Sequence, residues 1–537
     1  MIHQKILKTS TMTPLQLERL LSDAQLDAAS KNKLKSLQNK ISGKEFSDIL
    51  DGEGNQYVNF VQEGGGVWGV ALVGYLYALE SFGIRFLRIA GTSAGAINTM
   101  LIAAMGDRTK NKSTRIKDIL FQWKFEEFMD GKSIVKKLAS RILKSKNYMK
   151  RIGLSIIVLF LLIVIFPFLI LFLKISPWYY LVPFLGLCLF VYTTVHYYHL
   201  FQVNRIGLNP GRAFENKMQV ALDSFNIKSV SNLNEEYNQK ERKLNLNYRL
   251  GNGEEYYNTA IENIKNIHEK ELTNIDMVKF NFFLESAEDN DLYKENPFTL
   301  LRSDYTIVTT DINAQIKVEL PKMANLYWTN TDLSIISPAK FVRASMSVPY
   351  FFEPMITKID ISKDSIIQAW KFWLNAEPAN IFEEGVFVDG GSISNFPIDI
   401  FHESDIFYPR IPVFGVRLVD QAELGEPRGP GSNNILKSPF SFLGSIFDTL
   451  KGYNDKTFLT KYTFYSTHSI QYVDCSPSNW LNFFMEDREK TELFNKGFRA
   501  GLDFLEKFDW QKYKYERMLV ALKEKGIFKQ EAKPNVG

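Results

Sequence analysis

Apolar residues follow two different periods between residues 57 and 104. The stretches "YVNFVQ" from Tyr57 and "IRFLRIAG" from Ile84 are short and apolar, and each is followed by a glycine turn or a glycine loop, which predicts two buried strands. Between them lies "VALVGYLYALESFG", an almost wholly apolar stretch that predicts a helix ending at Gly83, and a small-residue helix follows from Ala94. Strand, helix, strand, helix in this order predicts a parallel α/β core.

Strand patterns resume after residue 304. The five stretches that predict strands there are "DYTIVTTDI", "KFVRASMSVPYFF", "GVFVDGG", "PVFGVRL" and "HSIQYVDC". An amphipathic helix, "KTELFNKGFRAGLDFLEKF", follows them near the end of the chain.

A much longer apolar pattern interrupts this core. Residues 152–173 are twenty-two consecutive residues without a charge, and a second uncharged run covers 175–203. At about 1.5 Å rise per residue the first run is about 33 Å long, enough to cross a hydrocarbon core of about 30 Å. The two runs therefore predict a two-helix transmembrane hairpin over 152–203, in preference to a buried helical pair.

The residues before the hairpin are basic. Residues 131–151 contain eight lysines or arginines and no acidic residue. By the positive-inside tendency this juxtamembrane helix is cytoplasmic, and two crossings return the chain to the same side. The helix either lies on anionic headgroups or is a solvated helix that only sets the topology. Because the N-terminus shows no signal-peptide pattern, we expect it and the catalytic domain to be cytoplasmic.

Composition excludes some function classes. A net charge of +4 on 537 residues gives the whole molecule no attraction to nucleic acid. The two cysteines, Cys188 and Cys475, cannot build a disulfide framework or a metal cluster. We therefore expect neither a metal nor an organic cofactor.

The candidate chemistry begins at Ser93. It lies in "GTSAG", between a predicted strand and a predicted helix, which is the pattern of a nucleophile elbow. Such a serine needs a base, but of six histidines only His402 and His468 fall in the α/β part, and neither is in a recognisable catalytic loop. Asp389 ends the predicted strand of "GVFVDGG". Catalytic groups gather beyond the carboxyl ends of parallel strands, so we expect Asp389 to meet Ser93 and to be able to take its proton.

A glycine loop, "QEGGGVWG" at residues 62–69, follows the first predicted strand. Its backbone N–H groups suit a phosphate or the oxyanion of an acyl-transfer intermediate. The loop lacks the residues of a dinucleotide fingerprint and of a phosphate-binding P-loop.

The three motifs together resemble the patatin-like phospholipase family, here of a bacterial type with an inserted transmembrane hairpin. The resemblance rests on "GGGVWG", "GTSAG", "DGG" and "VRASMSVPYFFEP". It implies a three-layer α/β/α core with a mostly parallel central sheet, Ser93 as the acylated nucleophile and Asp389 as its base. It also implies that Gly64, Gly65 and Gly66 form the oxyanion hole. Where the family usually has a basic residue in the glycine loop this chain has Trp68, so Arg343 is the candidate contact for a substrate anion.

These predictions divide the chain into segments. They are a helical N-terminal extension (1–56), the first part of the core (57–130), the basic juxtamembrane helix (131–151), the hairpin (152–203), a helical insertion or lid (204–300), the second part of the core (301–510) and a C-terminal tail (511–537).

The predicted function is that of a membrane-anchored serine lipid acyl hydrolase with a Ser-Asp dyad. Its partners would be the bilayer and its lipids, phospholipid or acylglycerol, with no nucleic acid. Two alternatives stay open: a histidine-dependent α/β-hydrolase that uses His402 or His468, and a non-catalytic membrane scaffold with a hydrolase fold.

Overall fold

The computed structural model of the chain describes residues 9–130, 207–242, 246–248, 304–403, 409–420 and 452–527, with a few helical positions from 184 to 195 and at 262, 278 and 279. The basic segment 131–151 and nearly all of the predicted hairpin, 152–203, lie outside the described residues. Among the helices that are described, none is long and apolar enough to cross a bilayer.

Fourteen α-helices have described bounds. They are α1 (Pro14–Leu21), α2 (Ala28–Ile41), α3 (Gly69–Ser81), α4 (Ala94–Ala104), α5 (Ser113–Gln122), α6 (Arg212–Asp223), α7 (Val230–Arg242), α8 (Asn330–Leu333), α9 (Ala339–Ser345), α10 (Asp364–Leu374), α11 (Tyr453–Lys461), α12 (Thr463–His468), α13 (Asp487–Lys507) and α14 (Trp510–Glu524).

Twelve strands have described bounds. They are β1 (Ile49–Asp51), β2 (Gln56–Gln62), β3 (Ile84–Thr92), β4 (Gly207–Asn209), β5 (Leu246–Tyr248), β6 (Asp304–Asp311), β7 (Ile316–Leu320), β8 (Tyr350–Phe352), β9 (Met355–Lys358), β10 (Glu384–Asp389), β11 (Val413–Val419) and β12 (Ile470–Asp474).

The central sheet is mixed, which corrects the expectation of a mostly parallel sheet. Ten of the described strands form it, in the order β12-β11-β2-β3-β6-β10-β9, with β1, β5 and β7 attached at its sides. The pairings from β12 to β6 are parallel. Those of β10 with β6 and β9, of β7 with β6, and of β1 with β2 and β5 are antiparallel. A parallel α/β core is therefore present, and antiparallel strands extend it.

One predicted strand is a helix. The stretch from Lys340 reads as apolar and β-branched, but the structure forms α9 there, and only Tyr350–Phe352 at its end is a strand. The helix follows Pro338, whose φ of −59° starts a helical turn, and it buries Phe341 and Val342. A short apolar run does not by itself distinguish a buried helix from a strand.

Both faces of the sheet are covered. Side chains of successive strand residues point to opposite faces, and the ring of Phe414 in β11 packs on Phe504 of α13 with centroids 4.7 Å apart. A side chain on the next residue, Gly415, would instead contact Phe396 and Ile398, which lie on the other face. Helices α3 and α13 cross closely on the first face because Gly74 and Gly497 leave each backbone room against the other helix.

The described residues nearest the two ends of the chain are part of the fold, which differs from two of the predicted segments. The N-terminal extension contains α1, which begins with a capping box of Thr13 and Gln16, and α2, but Ile49–Asp51 is a strand of the central sheet. The predicted tail from 511 is instead the helix α14, which buries Tyr513 and Met518.

A buried ion pair joins these two ends. The Lys514 ammonium lies 3.3 Å from Asp48, and both side chains are 1% exposed. The indole of Trp510 also donates to Asp48, at 2.7 Å. Asp48 immediately precedes β1, so the pair fixes α14 against the start of the sheet.

We predict that Lys514→Met lowers the free energy of unfolding by about 3–5 kcal/mol, because it removes the Lys514 ammonium from the buried Asp48 carboxylate. Urea unfolding followed by tryptophan fluorescence measures the change. The matched control is Lys110→Met, which removes an exposed pair with Glu53 and should cost no more than about 1 kcal/mol. Equal stabilities for the two variants would contradict this role of the pair.

Candidate active site

Ser93 lies on a strained turn between a strand and a helix. β3 ends at Thr92 and α4 begins at Ala94, and Ser93 between them has φ 52° and ψ −116°. A non-glycine residue in this region is uncommon and marks a constrained position. Gly91 and Gly95 allow the turn, since a Cβ on either would overlap the backbone of Gly95 or Gln62. The strand, tight turn and helix predicted around Ser93 are therefore present.

Asp389 comes level with Ser93, but not for the expected reason. It ends β10, which runs antiparallel to β6, so the direction of β10 does not by itself place Asp389 at the carboxyl edge of the parallel strands. Asp389 pairs in register with Thr309 of β6, and the neighbouring Val308 pairs with Thr92 of β3. Strand β10 therefore starts beyond the carboxyl edge and runs inward to the level of the nucleophile. One strand separates the two backbones, which corresponds to about 10 Å.

The segment Ser345 to Ser347 connects the two residues. The Ser345 hydroxyl accepts the N–H of Ser93 at 2.8 Å and donates to the carbonyl of Val308 at 2.6 Å. Two residues later, the carbonyl of Ser347 accepts the N–H of Asp389 at 2.8 Å. This segment belongs to the stretch that carried part of the family resemblance, and here it fixes the backbones of both candidate catalytic residues.

The candidate nucleophile and base are both buried and both hydrogen-bonded. Ser93 is 4% exposed, and its hydroxyl donates to Sδ of Met346 at 3.3 Å. Asp389 is 7% exposed, and its Oδ1 accepts the N–H of Gly391 at 2.7 Å. A proton transfer to Asp389 would require the Ser93 hydroxyl to turn away from Met346.

The three glycines of the loop differ in what their N–H groups bind. The N–H of Gly64 donates to the carbonyl of Asn395 at 3.0 Å. The N–H groups of Gly65 and Gly66 have no acceptor among the described residues. A side chain on Gly64 would lie 3.0 Å from Cβ of Ser93, so the loop packs directly against the elbow. This geometry leaves Gly65 and Gly66, and not Gly64, able to hold an oxyanion.

An ion pair fixes the start of the glycine loop. Glu63 precedes Gly64, and its Oε1 accepts two bonds from Arg417, at 3.0 and 2.9 Å. Its Oε2 accepts the N–H of Leu418 at 2.7 Å. The paired carboxylate raises the pKa of Arg417 above its usual value although burial opposes this. Strand β11 thereby holds the end of β2 from which the loop departs.

Two residues that the sequence did not single out, Asn395 and Asp455, join the motifs. Asn395 receives the Gly64 N–H and donates its own side-chain amide to the Gly64 carbonyl at 3.1 Å. Its neighbour Ser394 accepts the hydroxyl of Thr92 at 3.0 Å through its carbonyl. The turn 394–396 thus contacts the glycine loop, the elbow and the segment that follows Asp389.

Asp455 fixes the turn 394–396 through hydrogen bonds. Its carboxylate accepts the Ser394 hydroxyl at 2.6 Å and the N–H groups of Asn395 and Phe396, both at 2.8 Å. Burial raises the pKa of Asp455 to about 6, although the bonds from Ser394 and Phe396 oppose the shift. No local pattern around Asp455 could have shown this role, because its three donors lie some sixty residues earlier in the chain.

Arg343 does not occupy the position expected of a substrate contact. It is buried, and its guanidinium donates to the carbonyls of Pro210 and Glu353 and to the hydroxyl of Ser347. Burial lowers the pKa of Arg343 to about 10, so it remains charged at neutral pH. Its contacts support the segment that connects Ser93 and Asp389, which is a structural role.

The two candidate histidines belong to other contacts. His402 lies among helices α11, α12 and α14, where its ring nitrogens face Tyr465 and Glu524 at 3.0 and 3.4 Å. Burial lowers the pKa of His402, and Arg517 adds to the effect. His468 ends α12, and its ring lies 5.4 Å from that of Phe464. Among the described residues, neither histidine forms a hydrogen bond with Ser93.

A small apolar cavity adjoins the elbow. Its volume is about 20 Å³, and it is lined by Ile97, Leu120, Phe125, Phe128, Met346 and Phe483, together with residues of the glycine loop and of helices α3 and α4. That volume holds about one water molecule, so an acyl chain can enter only after side chains move. Within the described part of the chain, no group of three or more His, Cys, Asp or Glu side chains could hold a metal ion.

Comparisons with known proteins bear on this site. "Uncharacterized protein YqhO" of Bacillus subtilis (strain 168) is 25% identical over 212 residues, which are 39% of this chain and 60% of that protein. The crystal structure of VipD from Legionella pneumophila aligns over 86% of this chain and 71% of its own, with 12% identity and a TM-score of 0.30. The model of the patatin-like phospholipase family matches residues 60–186, which include the glycine loop and Ser93. Over residues 60–186 the chain is therefore similar to the patatin-like phospholipase family.

Proposed function

We propose that the protein is a membrane-anchored serine lipid acyl hydrolase that cleaves fatty-acyl esters of membrane lipids with Ser93 and Asp389. The observation that carries the proposal is the position of Ser93, on a strained elbow within the matched domain, against the glycine loop and level with Asp389. The combination of a nucleophile, a nearby carboxylate and available backbone donors is what acyl transfer requires.

The reaction would proceed in two steps. The Ser93 hydroxyl leaves Met346 and gives its proton to Asp389 while its oxygen attacks the ester carbonyl. The N–H groups of Gly65 and Gly66 hold the oxyanion of the tetrahedral intermediate, and the alcohol leaves with the proton from Asp389. Water then attacks the acyl-serine, Asp389 takes a proton from it, and the fatty acid is released as Ser93 regains its hydrogen.

The membrane anchor is the predicted hairpin, 152–203. Its described positions are helical, and Phe184, Leu185, Val191 and Val195 among them are exposed large apolar side chains. Exposed apolar side chains on a helix suit a lipid environment better than water. An enzyme held at its substrate's membrane searches a small volume, which raises the effective concentration of the substrate.

The dyad is tested by fatty-acid release from mixed phospholipid and acylglycerol vesicles. We expect Ser93→Ala and Asp389→Asn each to reduce release on the order of a thousandfold or more, because they remove the nucleophile and the base. His402→Gln and His468→Ala are the matched controls and should keep wild-type release. Loss of activity in a histidine variant with normal stability would favour the histidine-dependent hydrolase, and a wild type that is silent on every lipid would favour the scaffold.

The hydrogen bonds that Asp455 accepts from the turn 394–396 lead to a second prediction. Asp455→Ala frees the turn 394–396, and a displacement of about 1 Å in the glycine loop can cost about a hundredfold in rate. We expect kcat to fall by about that factor with little change in KM on a soluble short-chain ester. Asp455→Asn should recover part of the loss, because its amide oxygen can still accept the two backbone N–H groups.

The control for Asp455→Ala is Asp364→Ala, which removes an exposed carboxylate on α10. Its kcat should equal that of the wild type. If Asp455→Ala also retained the wild-type kcat, the turn would not control the geometry of the site.

The role of the hairpin is tested by deletion. A variant that lacks 152–203, with its ends bridged by a short flexible linker, should leave the membrane fraction and still cleave a soluble short-chain ester. Sedimentation with vesicles and ester turnover measure the two properties separately. A deleted protein that still sediments with vesicles would contradict the anchor, and one that loses ester turnover would show that the hairpin is part of the folded domain.

A further inference from the structure

The two ends of the segment that contains the predicted hairpin meet at one point. Asp130 is the last described residue before the segment, and its carboxylate accepts the N–H groups of Gly211 and Ala213 at 2.8 and 3.2 Å. The continuous described backbone after this segment begins at Gly207. The described residues on the two sides of the segment are therefore in contact.

This place adjoins the candidate active site. Phe128, two residues before the exit, lines the cavity beside Ser93. Its ring lies 5.1 Å from that of Phe214 in α6, which in turn lies 6.4 Å from that of Phe352 in β8. The Arg343 guanidinium binds the carbonyl of Pro210 on the re-entering side. Phe128 therefore belongs both to the residues that flank the segment with the predicted hairpin and to the lining of the cavity.

Tyr350 lies at the point of re-entry and faces outward. It pairs with Gly207 where β8 runs parallel to β4. It is 68% exposed, and its backbone is held at φ 68°, a conformation that is uncommon for a large side chain. The next residue, Phe351, stacks on Phe483 with centroids 4.6 Å apart, and Phe483 lines the cavity. Phe351 and Phe483 therefore form an aromatic path from the strand that begins with the exposed Tyr350 to the cavity beside Ser93.

The length of the connecting chain limits how far this path can be from the membrane. Gly207 is four positions after the end of the predicted hairpin at 203, and four extended steps of the chain span at most about 14 Å. The headgroup layer on each side of a bilayer is roughly 5–8 Å thick. Tyrosine is enriched at this boundary because its ring is apolar and its hydroxyl is polar.

We propose that Tyr350 and the aromatic path behind it form a membrane-seating surface, through which lipids of the cytoplasmic leaflet reach Ser93. The proposal rests on the membrane anchor proposed above. The anchor would place this surface against the lipid, and substrate would enter from that side. The occupant is the headgroup boundary of the bilayer, because Tyr350 pairs with Gly207, which is four positions after the predicted hairpin.

The test places a fluorophore at Tyr350 in the full-length protein. The background carries Ser93→Ala, so that no lipid is consumed, and Cys188→Ser, so that no other accessible thiol remains among the two cysteines of the chain. Cys475 is buried, and burial raises its pKa well above the usual value, so it resists labelling. Tyr350→Cys is labelled with an environment-sensitive dye and reconstituted in phosphatidylcholine and phosphatidylserine vesicles.

We expect the dye at 350 to shift its emission to shorter wavelength and to be quenched at least twofold by lipids with a spin label near the headgroup. Pro349→Cys, at the exposed neighbouring position, gives a second label and should behave alike. Leu15→Cys on α1, where the native side chain is 76% exposed, is the control and should remain unquenched.

An unshifted and unquenched dye at both 349 and 350 would overturn the proposal, as would equal quenching at position 15. The melting temperature of each labelled variant shows that it is folded. Because the background is catalytically silent, this outcome is independent of whether Ser93 hydrolyses lipids. Failure of the seating surface and failure of the proposed function are therefore distinguishable.

Discussion

The candidate site depends on one constrained turn. Ser93 can stand at φ 52° only because the surrounding structure holds it there, and such a backbone costs about 1–3 kcal/mol. The cost is met by the close approach of Gly91, Gly95 and Gln62 and by the hydrogen bond from the Ser93 N–H to Ser345. The parallel strands β2, β3 and β6 provide the frame, since they fix the backbone on both sides of the elbow.

Buried charges hold the loops that surround this turn. The Glu63 and Arg417 pair secures the start of the glycine loop, and the Asp455 carboxylate secures the turn 394–396 that binds Gly64 and Thr92. Each carboxylate receives three hydrogen bonds, so its desolvation is offset by donors in fixed positions. These anions lie beside the catalytic motifs without being part of them, and they act by keeping loops from distant parts of the chain in one register.

The sequence predicted the features of the site that depend on neighbouring residues. Ser93 and the glycine loop are local patterns, and the structure gives the elbow its predicted strand and helix. The direction of β10 was predicted wrongly, because strand pairing is a long-range property and β10 pairs antiparallel with β6. Asp389 still comes level with Ser93, through the register of β10 and not through a parallel pairing.

The partners of a side chain or of an amide are likewise long-range properties that a local sequence pattern does not show. The Arg343 guanidinium is bound by carbonyls of Pro210 and Glu353, and the Gly64 N–H by Asn395, and none of these contacts is visible in a local motif. The strand predicted from Lys340 became the helix α9 because its apolar residues fit either structure until packing is known. Asp455 follows no recognisable pattern, and only the folded chain shows what it binds.

The proposed acyl transfer is tested most directly by whether Ser93 acts as a nucleophile. Intact-mass spectrometry after reaction with a long-chain fluorophosphonate, followed by peptide mapping, would identify the modified residue. We expect one adduct per chain, on Ser93, formed far more slowly when Asp389 is replaced by asparagine. An adduct on another residue, or a labelling rate that is independent of Asp389, would contradict it.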